Sequence, residues 1–420
     1  MRDSLGLYIS VPFCRAKCTY CNFASGVFAA ERMDAYVERV CAEMRGVRGR
    51  VAEFGGAKAE LPGRVDSIYL GGGTPSLLSA GQVQKLFAAL RSEFAVSGDA
   101  EVTLECAPGQ LSEETLEAML GAGVNRVSFG VQSFVDAEAA GVGRLHTRAM
   151  CLAEIERLRA TGVENINVDL IAGLPRQTRA SWRESVEVAI ETGVPHVSVY
   201  MLEVDEDSRL GREMLASGAR YGAGAAPSED ETAEWYAEAC EWLQTAGIEQ
   251  YEISNFAREG FESRHNMKYW RREPYVGFGL DAHSMLRGTS VNAVGGVRWA
   301  NGDDLDRYEV QGSRFKAGAR GEGLVQLGSD AMEEPGVDWV GREQGFEEAM
   351  FLGLRMNEGV DVEALRVEFG DELVESATLA VAEMEEAGLV ERADTRLRLT
   401  GRGRMVSNEV FSRLLVGAAV

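Results

Sequence analysis

Positive charge is in short supply in this chain. Against 66 Asp and Glu residues stand 43 Lys and Arg, a formal net charge of −23 across 420 residues. A surface of that sign repels phosphate backbones and anionic lipid headgroups, which sets nucleic acid aside as a partner. Long apolar runs are absent as well. No stretch approaches the ~18 to 20 residues of a membrane span, and the opening MRDSLGLYISVPFC lacks the apolar core of a secretory signal. The expectation is a cytoplasmic protein with no integral membrane segment. Histidine is scarce, with four residues, and cysteine comes in an odd number, seven. An odd count in a reducing compartment does not build a disulfide framework. The remaining composition, 45% hydrophobic and 26% charged, is that of a globular chain and rules out collagen, coiled coil or disorder as a description of the whole.

What is present is a repeat of short β-rich runs and longer segments of helical period, the pattern of βα units on a parallel sheet. Strands are expected at Leu7 to Val11, Ser67 to Leu70, Glu101 to Glu105, Arg126 to Gly130, Asn165 to Ile171 and His196 to Tyr200. Amphipathic segments near 31–52, 79–94, 112–122, 148–160 and 179–191 lie between them, with another at 229–246. Six units are too few for a closed eight-fold barrel. The expected architecture is α/β, a partial (βα)6 barrel over residues 1–300 whose ligands gather at the carboxyl ends of the strands. Residues 301–344, rich in glycine and acid with little periodicity, read as a connecting segment. From 345 to 420 the order of three helices, two short strands and a final helix resembles a winged-helix module. That segment carries 8 basic and 15 acidic side chains, the wrong sign for DNA, so protein contact or a lid role is expected of it instead.

Three of the seven cysteines, Cys14, Cys18 and Cys21, form C-x3-C-x2-C directly after the first strand, with Arg15 and Lys17 interleaved to favour thiolates. Three thiolates at this spacing suit a cubane iron-sulfur cluster and leave one of its irons open to a further ligand. Structural zinc is the alternative, but such sites usually pair two Cys or Cys/His elements and no second pair follows. Cys41, Cys106, Cys151 and Cys240 are isolated and read as small apolar residues. The next strand runs into Gly71-Gly72-Gly73-Thr74-Pro75, where missing side chains let backbone approach a ligand, or where the strand simply turns tightly into a helix.

With Tyr20 before the last cysteine, this segment resembles the radical S-adenosylmethionine (SAM) superfamily. The resemblance implies a [4Fe-4S] cluster on Cys14, Cys18 and Cys21. It also implies SAM chelated through its amino and carboxylate groups to the open iron, with Gly72, Gly73 and Thr74 near the methionyl amino group. Over nearly its full length the chain resembles the oxygen-independent coproporphyrinogen III oxidases and their haem-chaperone relatives. That likeness carries SAM contacts onto Tyr8, Tyr20, Glu105, Gln132, Arg144 and Asp169, with Met201 a looser match. Each of the polar ones stands at or beyond a strand end, where carboxylates can hold ribose hydroxyls and an arginine a carboxylate. Read alone, Glu105 or Asp169 serves equally as a helix cap or a partner of Arg144.

Two features separate the relatives. The oxidases carry one more cysteine two residues after the third ligand, where this chain has Phe23 preceded by Asn22, and an extension ahead of the cysteine loop, whereas Cys14 comes early here. In turn, His265-Asn266-Met267-Lys268-Tyr269-Trp270 matches the H-N-x-x-Y-W element of the haem chaperones, and EPYVGFGLDAHS the segment after it. The resemblance therefore implies bound haem, with His265, Tyr269, Trp270 and His283 as candidate haem residues, since histidine ligates haem iron and aromatic rings face porphyrins. His265 reads alternatively as a structural hydrogen-bonder and Trp270 as core. Asp281 departs from the glycine that relatives more often carry before Ala-His-Ser. His146 is expected in the SAM loop and His196 to be structural. The leading expectation is a haem chaperone handing haem to apo-proteins such as respiratory enzymes. The alternative is an enzyme decarboxylating coproporphyrinogen III propionates through a 5'-deoxyadenosyl radical. Homodimer formation is left open.

Overall fold

The computed structural model describes residues 4–53, 59–288, 295–311 and 337–414. Six strands, Ser4–Val11 (β1), Arg64–Gly72 (β2), Ala95–Cys106 (β3), Arg126–Gln132 (β4), Asn165–Ala172 (β5) and His196–Met201 (β6), pair in sequence order and all in parallel. Each expected strand is found within these bounds. Along every strand polar and apolar residues alternate, so the pleat sends them to opposite faces. Asn167 and Asp169 of β5, Ser128 of β4 and Ser198 of β6 face one common cavity. Their neighbours Ile166, Val168, Leu170, Val127, Phe129 and Val199 are buried in the main apolar core. Residues from five consecutive strands can share one cavity only if the sheet curls, and this chain forms the open barrel expected of six βα units.

The helices supply the outer layer. Arg32–Glu53 buries Tyr36, Val37, Val40, Met44, Val47 and Val51, an apolar stripe at helical spacing. Side-chain caps set where several helices begin. Ser79 and Gln82, and Ser228 and Glu231, close reciprocal capping boxes, while Thr147 accepts from Met150 N.

Past β6 the sheet keeps growing in ways the sequence pattern does not announce. Its full order includes, on one edge, Asn255–Ala257 (β8), antiparallel to β6, and then Glu249–Gln250 (β7), antiparallel to β8. On the other edge Tyr275–Phe278 (β9) lies parallel to β1, followed by His283–Leu286 (β10), Gly296–Ala300 (β11) and Val337–Val340 (β12). The boundary expected at 300 therefore falls inside this edge. Asn301 is buried and donates to Glu43 and to the Gly279 carbonyl. Helix Leu305–Gln311 docks on Arg32–Glu53 through Tyr308 on Glu43 and Glu309 on Arg32. The rest of the expected connecting segment, 312–336, lies outside the described residues.

The C-terminal module has its own apolar core, built around Phe346, Met350, Phe369, Met384 and Leu397. Helix Arg342–Arg355, strand Val360–Asp361 (β13), helices Val362–Phe369, Asp371–Ser376 and Thr378–Glu386, then a hairpin of Val390–Ala393 (β14) and Arg396–Leu399 (β15), follow the order of a winged helix. β15 is the central strand, paired to both β13 and β14.

Candidate functional site

The cysteine loop sits on the carboxyl end of β1 and is held from three sides. Cys14 N donates to Gly26 O at 2.9 Å and Thr19 N to Val142 O at 3.0 Å, while Leu210 N, from the segment after β6, donates to Thr19 O at 2.7 Å. Arg209 reaches the Lys17 carbonyl, and Asn22 donates to Asp205. All three cysteines are unpaired, half-buried and line one cavity of about 340 Å3. Among the described residues no three His, Cys, Asp or Glu side chains converge as a single metal ion demands. A cubane makes no such demand, because each thiolate takes a different iron, so the donor set fits a cluster better than zinc. Burial pushes the Cys14 thiol up. The interleaved cations do not offset this, since Arg15 is exposed and Lys17 donates to Phe23 O at 3.2 Å.

The glycine turn after β2 is required by close approach. A side chain at Gly73 would come within 2.7 Å of the Val11 carbonyl and 2.9 Å of Phe13 O, and Gly72 has φ +98°, in the region that favours glycine. Gly73 N and Thr74 N donate to those same two carbonyls at 2.9 and 2.8 Å, locking turn to loop. Thr74 Oγ1 then lies 3.7 Å from Cys14 Sγ.

Around this pair of loops the barrel places Tyr20, Glu105, Gln132, Arg144, Asp169 and Met201 in the same cavity. Arg144 donates to Cys18 Sγ at 3.4 Å and to the Gly130 carbonyl, tying β4 to the cysteine loop. Gln132 has φ +69° at a register shift in β4, a strained non-glycine conformation of the kind found at ligand sites. Asp169 accepts from Asn167 at 2.7 Å, and burial raises its pKa. Glu105 accepts from Tyr69 OH at 2.9 Å and Gly72 N at 3.1 Å. Neither carboxylate caps a helix or reaches Arg144.

Burial, and then the nearby Asp169, push the Glu105 pKa from 4.5 up to about 7. An acid whose folded pKa is raised holds its proton more tightly when folded, so the stability it contributes is fully present at low pH. That stability falls as pH climbs from 4.5 to 7. The expected loss is up to about 3 kcal/mol in the cofactor-free protein. Urea unfolding at stepped pH should show this slope in the wild type and a shallower one in Glu105→Gln. Equal slopes would remove Glu105 as its source.

The histidine motif divides. His265 is 1% exposed, with Nδ1 3.0 Å from Ser67 Oγ and Nε2 2.9 Å from Tyr269 OH, and burial lowers its pKa to about 3. Its helix, Arg264–Trp270, is capped by Glu101 and lies against Gly6, where an added Cβ would meet His265 Cε1 at 3.2 Å. Trp270 stacks under Arg355 of the C-terminal module at 4.4 Å. His265, buried against Ser67 and Gly6, and Trp270, under Arg355, line neither the cysteine cavity nor the one beside it. Tyr269 and His283 do meet, in a second cavity of about 360 Å3 lined also by Tyr8, Tyr275 and Asp281. Tyr8 is found here rather than in the cysteine cavity. His283 is exposed, and its Nδ1 lies 3.0 Å from Asp281 O. Asp281 has φ +55°, in the region that favours glycine and that aspartate tolerates. Gly72 and Phe23 line both cavities, so the two are adjacent.

His146 is buried with Nε2 3.1 Å from Val131 O, and His196 is buried between Asn167 and Tyr251. Sequence reasoning missed Tyr69, Tyr275, Arg126, Asn167 and Ser198. The signal that could have found the last three is polar alternation inside strands that a parallel sheet normally buries on both faces.

The sequence matches the Radical SAM superfamily over residues 8–189 and the HemN C-terminal domain over residues 342–406. It is 32% identical to a heme chaperone HemW of Lactococcus lactis, with 97% of each chain covered. It is 34% identical to heme chaperone HemW of Bacillus subtilis, covering 97% of this chain and 98% of that one. Among solved structures it superposes on Escherichia coli coproporphyrinogen III oxidase, described as a radical SAM enzyme, with a TM-score of 0.77 at 21% identity, over 99% of this chain and 91% of the other. That last likeness speaks for the fold. The superfamily implies a [4Fe-4S] cluster and SAM, and the cysteine cavity has the thiolates for the one and the polar walls for the other. The chain belongs to the radical SAM superfamily and, within it, to the HemW haem chaperone family.

Proposed function

We propose that this chain is a haem chaperone. It holds a [4Fe-4S] cluster on Cys14, Cys18 and Cys21 and SAM in the cysteine cavity, carries haem in the adjoining cavity, and passes it to apo-haemoproteins such as respiratory enzymes. The observation that carries this reading is the second cavity. It sets a solvent-facing imidazole, His283, beside the rings of Tyr269 and Tyr275 and against the wall it shares with the cysteine loop. An axial imidazole plus flat apolar faces is what a porphyrin with iron requires. The open mouth, with Phe23 63% exposed, suits release as well as capture.

The cluster supplies a low-potential electron and an open iron when bound. The chain's own residues bind and orient: Arg144 fixes the cysteine loop against β4, and Glu105 and Asp169 present acceptors for hydroxyl and amino groups. The other reading, oxidative decarboxylation of coproporphyrinogen III, is favoured by the likeness of the whole fold to the oxidase. It is opposed by Asn22 and Phe23 where the resemblance implies a further cysteine.

Haem titration followed at the Soret band tests the reading and its ligand together. His283→Ala should weaken haem binding by about tenfold or more, whereas His265→Gln should bind haem like the wild type. The reverse pattern would return the ligand to His265 and require its helix to open.

A further inference from the structure

Arg126, the first residue of β4, is a buried cation of the barrel interior with no carboxylate within ion-pair distance among the described residues. Its side chain is 2% exposed and lines the cysteine cavity. Among the described residues it makes no hydrogen bond or ion pair, and its Nε is buried without an acceptor. The carboxylates of that cavity, Glu105 and Asp169, feel its charge but do not contact it, and their hydrogen bonds go elsewhere, Glu105 to Tyr69 and Gly72, Asp169 to Asn167 and Ser128. Thr103 and Asn165 stand opposite Arg126 in register on β3 and β5, and Thr103 Oγ1 and Asn165 Oδ1 are likewise buried without partners.

The chain does not treat its other cations this way. Lys268 and Arg272, the two further cations buried to this degree among the described residues, are paired with Asp66 and Glu273 and with Glu348 and Glu368. A guanidinium removed from water and left unpaired is strongly unfavourable. Its planar fork of donors matches a carboxylate. Position separates it from the cluster loop, since Arg126 precedes Gly130, the residue bound by Arg144 beside Cys18, by four residues, or about 13 Å of strand.

We propose that Arg126 is a carboxylate anchor deep in the cavity, holding the acid group of a bound small molecule at the end remote from the cysteine loop. The anchor stands on its own geometry and rests on the cofactor and haem reading above only for the ligands offered to it. The ligand that carries that chemistry is the tetrapyrrole, through a propionate arm, because the methionyl carboxylate of SAM is expected on the open iron beside the cysteine loop.

The test uses the full chain with its cluster reconstituted, as wild type, Arg126→Gln and Arg126→Lys. Each is titrated with SAM, decarboxylated SAM, haem and haem dimethyl ester. Arg126→Gln should bind one carboxylate ligand about 10- to 100-fold more weakly, with the lysine variant between. The same ligand without its carboxylate should bind wild type and variant alike. A loss confined to haem over its ester assigns the propionate, and a loss confined to SAM over its decarboxylated form overturns the proposal. Equal binding of all four ligands by wild type and Arg126→Gln overturns the proposal, as does an equal loss with and without the carboxylate. Ligand-free Arg126→Gln should melt no lower than wild type, because it relieves an unpaired buried charge. A clear fall in Tm marks a structural arginine and also overturns it. Should haem fail to bind the wild type, the chaperone reading fails while coproporphyrin III and its tetramethyl ester, titrated in place of the haem pair, still decide Arg126.

Discussion

Serine at any one of positions 14, 18 or 21 is expected to reduce cluster iron and sulfide after anaerobic reconstitution to background, with the fold retained. In the proposed ligand set the three thiolates take separate irons of one cubane, so losing one removes a corner of its attachment to the protein, and a serine hydroxyl does not substitute for a thiolate. The fold should survive because the loop is held through backbone, by Cys14 N on Gly26, Thr19 N on Val142 and Leu210 N on Thr19, none of which uses a thiol. Cys41→Ser and Cys151→Ser serve as controls, since both thiols are buried away from the cavity. They should keep full iron content. Iron retained in Cys18→Ser, measured with sulfide, would contradict the ligand set.

The largest effect on stability is expected at the seam between barrel and C-terminal module. Arg355, the last residue of helix Arg342–Arg355, pairs with Glu252 at 2.6 Å, donates to Ser254 Oγ at 3.1 Å and lies over Trp270. Glu252 is fully buried, and its remaining acceptor capacity goes to Ser254 N and Asn255. Arg355→Ala leaves that carboxylate buried without its cation, which should cost about 3 to 5 kcal/mol. Urea unfolding reads the loss directly. Limited proteolysis should show the C-terminal module cleaved earlier than in the wild type, with Asn357 to Tyr251, Arg271 to Glu358 and Arg272 to Glu348 and Glu368 left to hold the seam. In Arg355→Ala with Glu252→Gln much of the loss should return, since the charge that needed compensation is gone. A single Arg355→Ala as stable as wild type would show that solvent, rather than arginine, balances Glu252.

The barrel was legible because its strands carry their own period. In NINVDL the apolar residues go to the helix side and Asn165, Asn167 and Asp169 to the interior, and the parallel order of β1 to β6 follows from the helices between. The same stretch could have yielded the polar interior, yet strand ends draw attention to the last residue alone, and Arg126 lies at a strand's start. The sheet's later strands were not legible. β9 to β12 are four or five residues each, broken by glycines, and their place is fixed by pairing across long separations such as Gly6 with Tyr275. The histidine motif shows the limit most clearly. Nothing local says which face of Arg264–Trp270 turns inward. Contact with Gly6, capping by Glu101 and the Lys268 to Asp66 pair decide it, and they bury His265 while leaving His283 at the surface.

The most direct test of the account is one anaerobic reaction. The chain, reconstituted with its cluster and loaded with haem, is given SAM, dithionite, coproporphyrinogen III and an apo-haemoprotein, and haem location and tetrapyrrole products are analysed together. The account predicts haem recovered on the acceptor and coproporphyrinogen unchanged. Catalytic formation of protoporphyrinogen with 5'-deoxyadenosine, and haem left unbound, would contradict it.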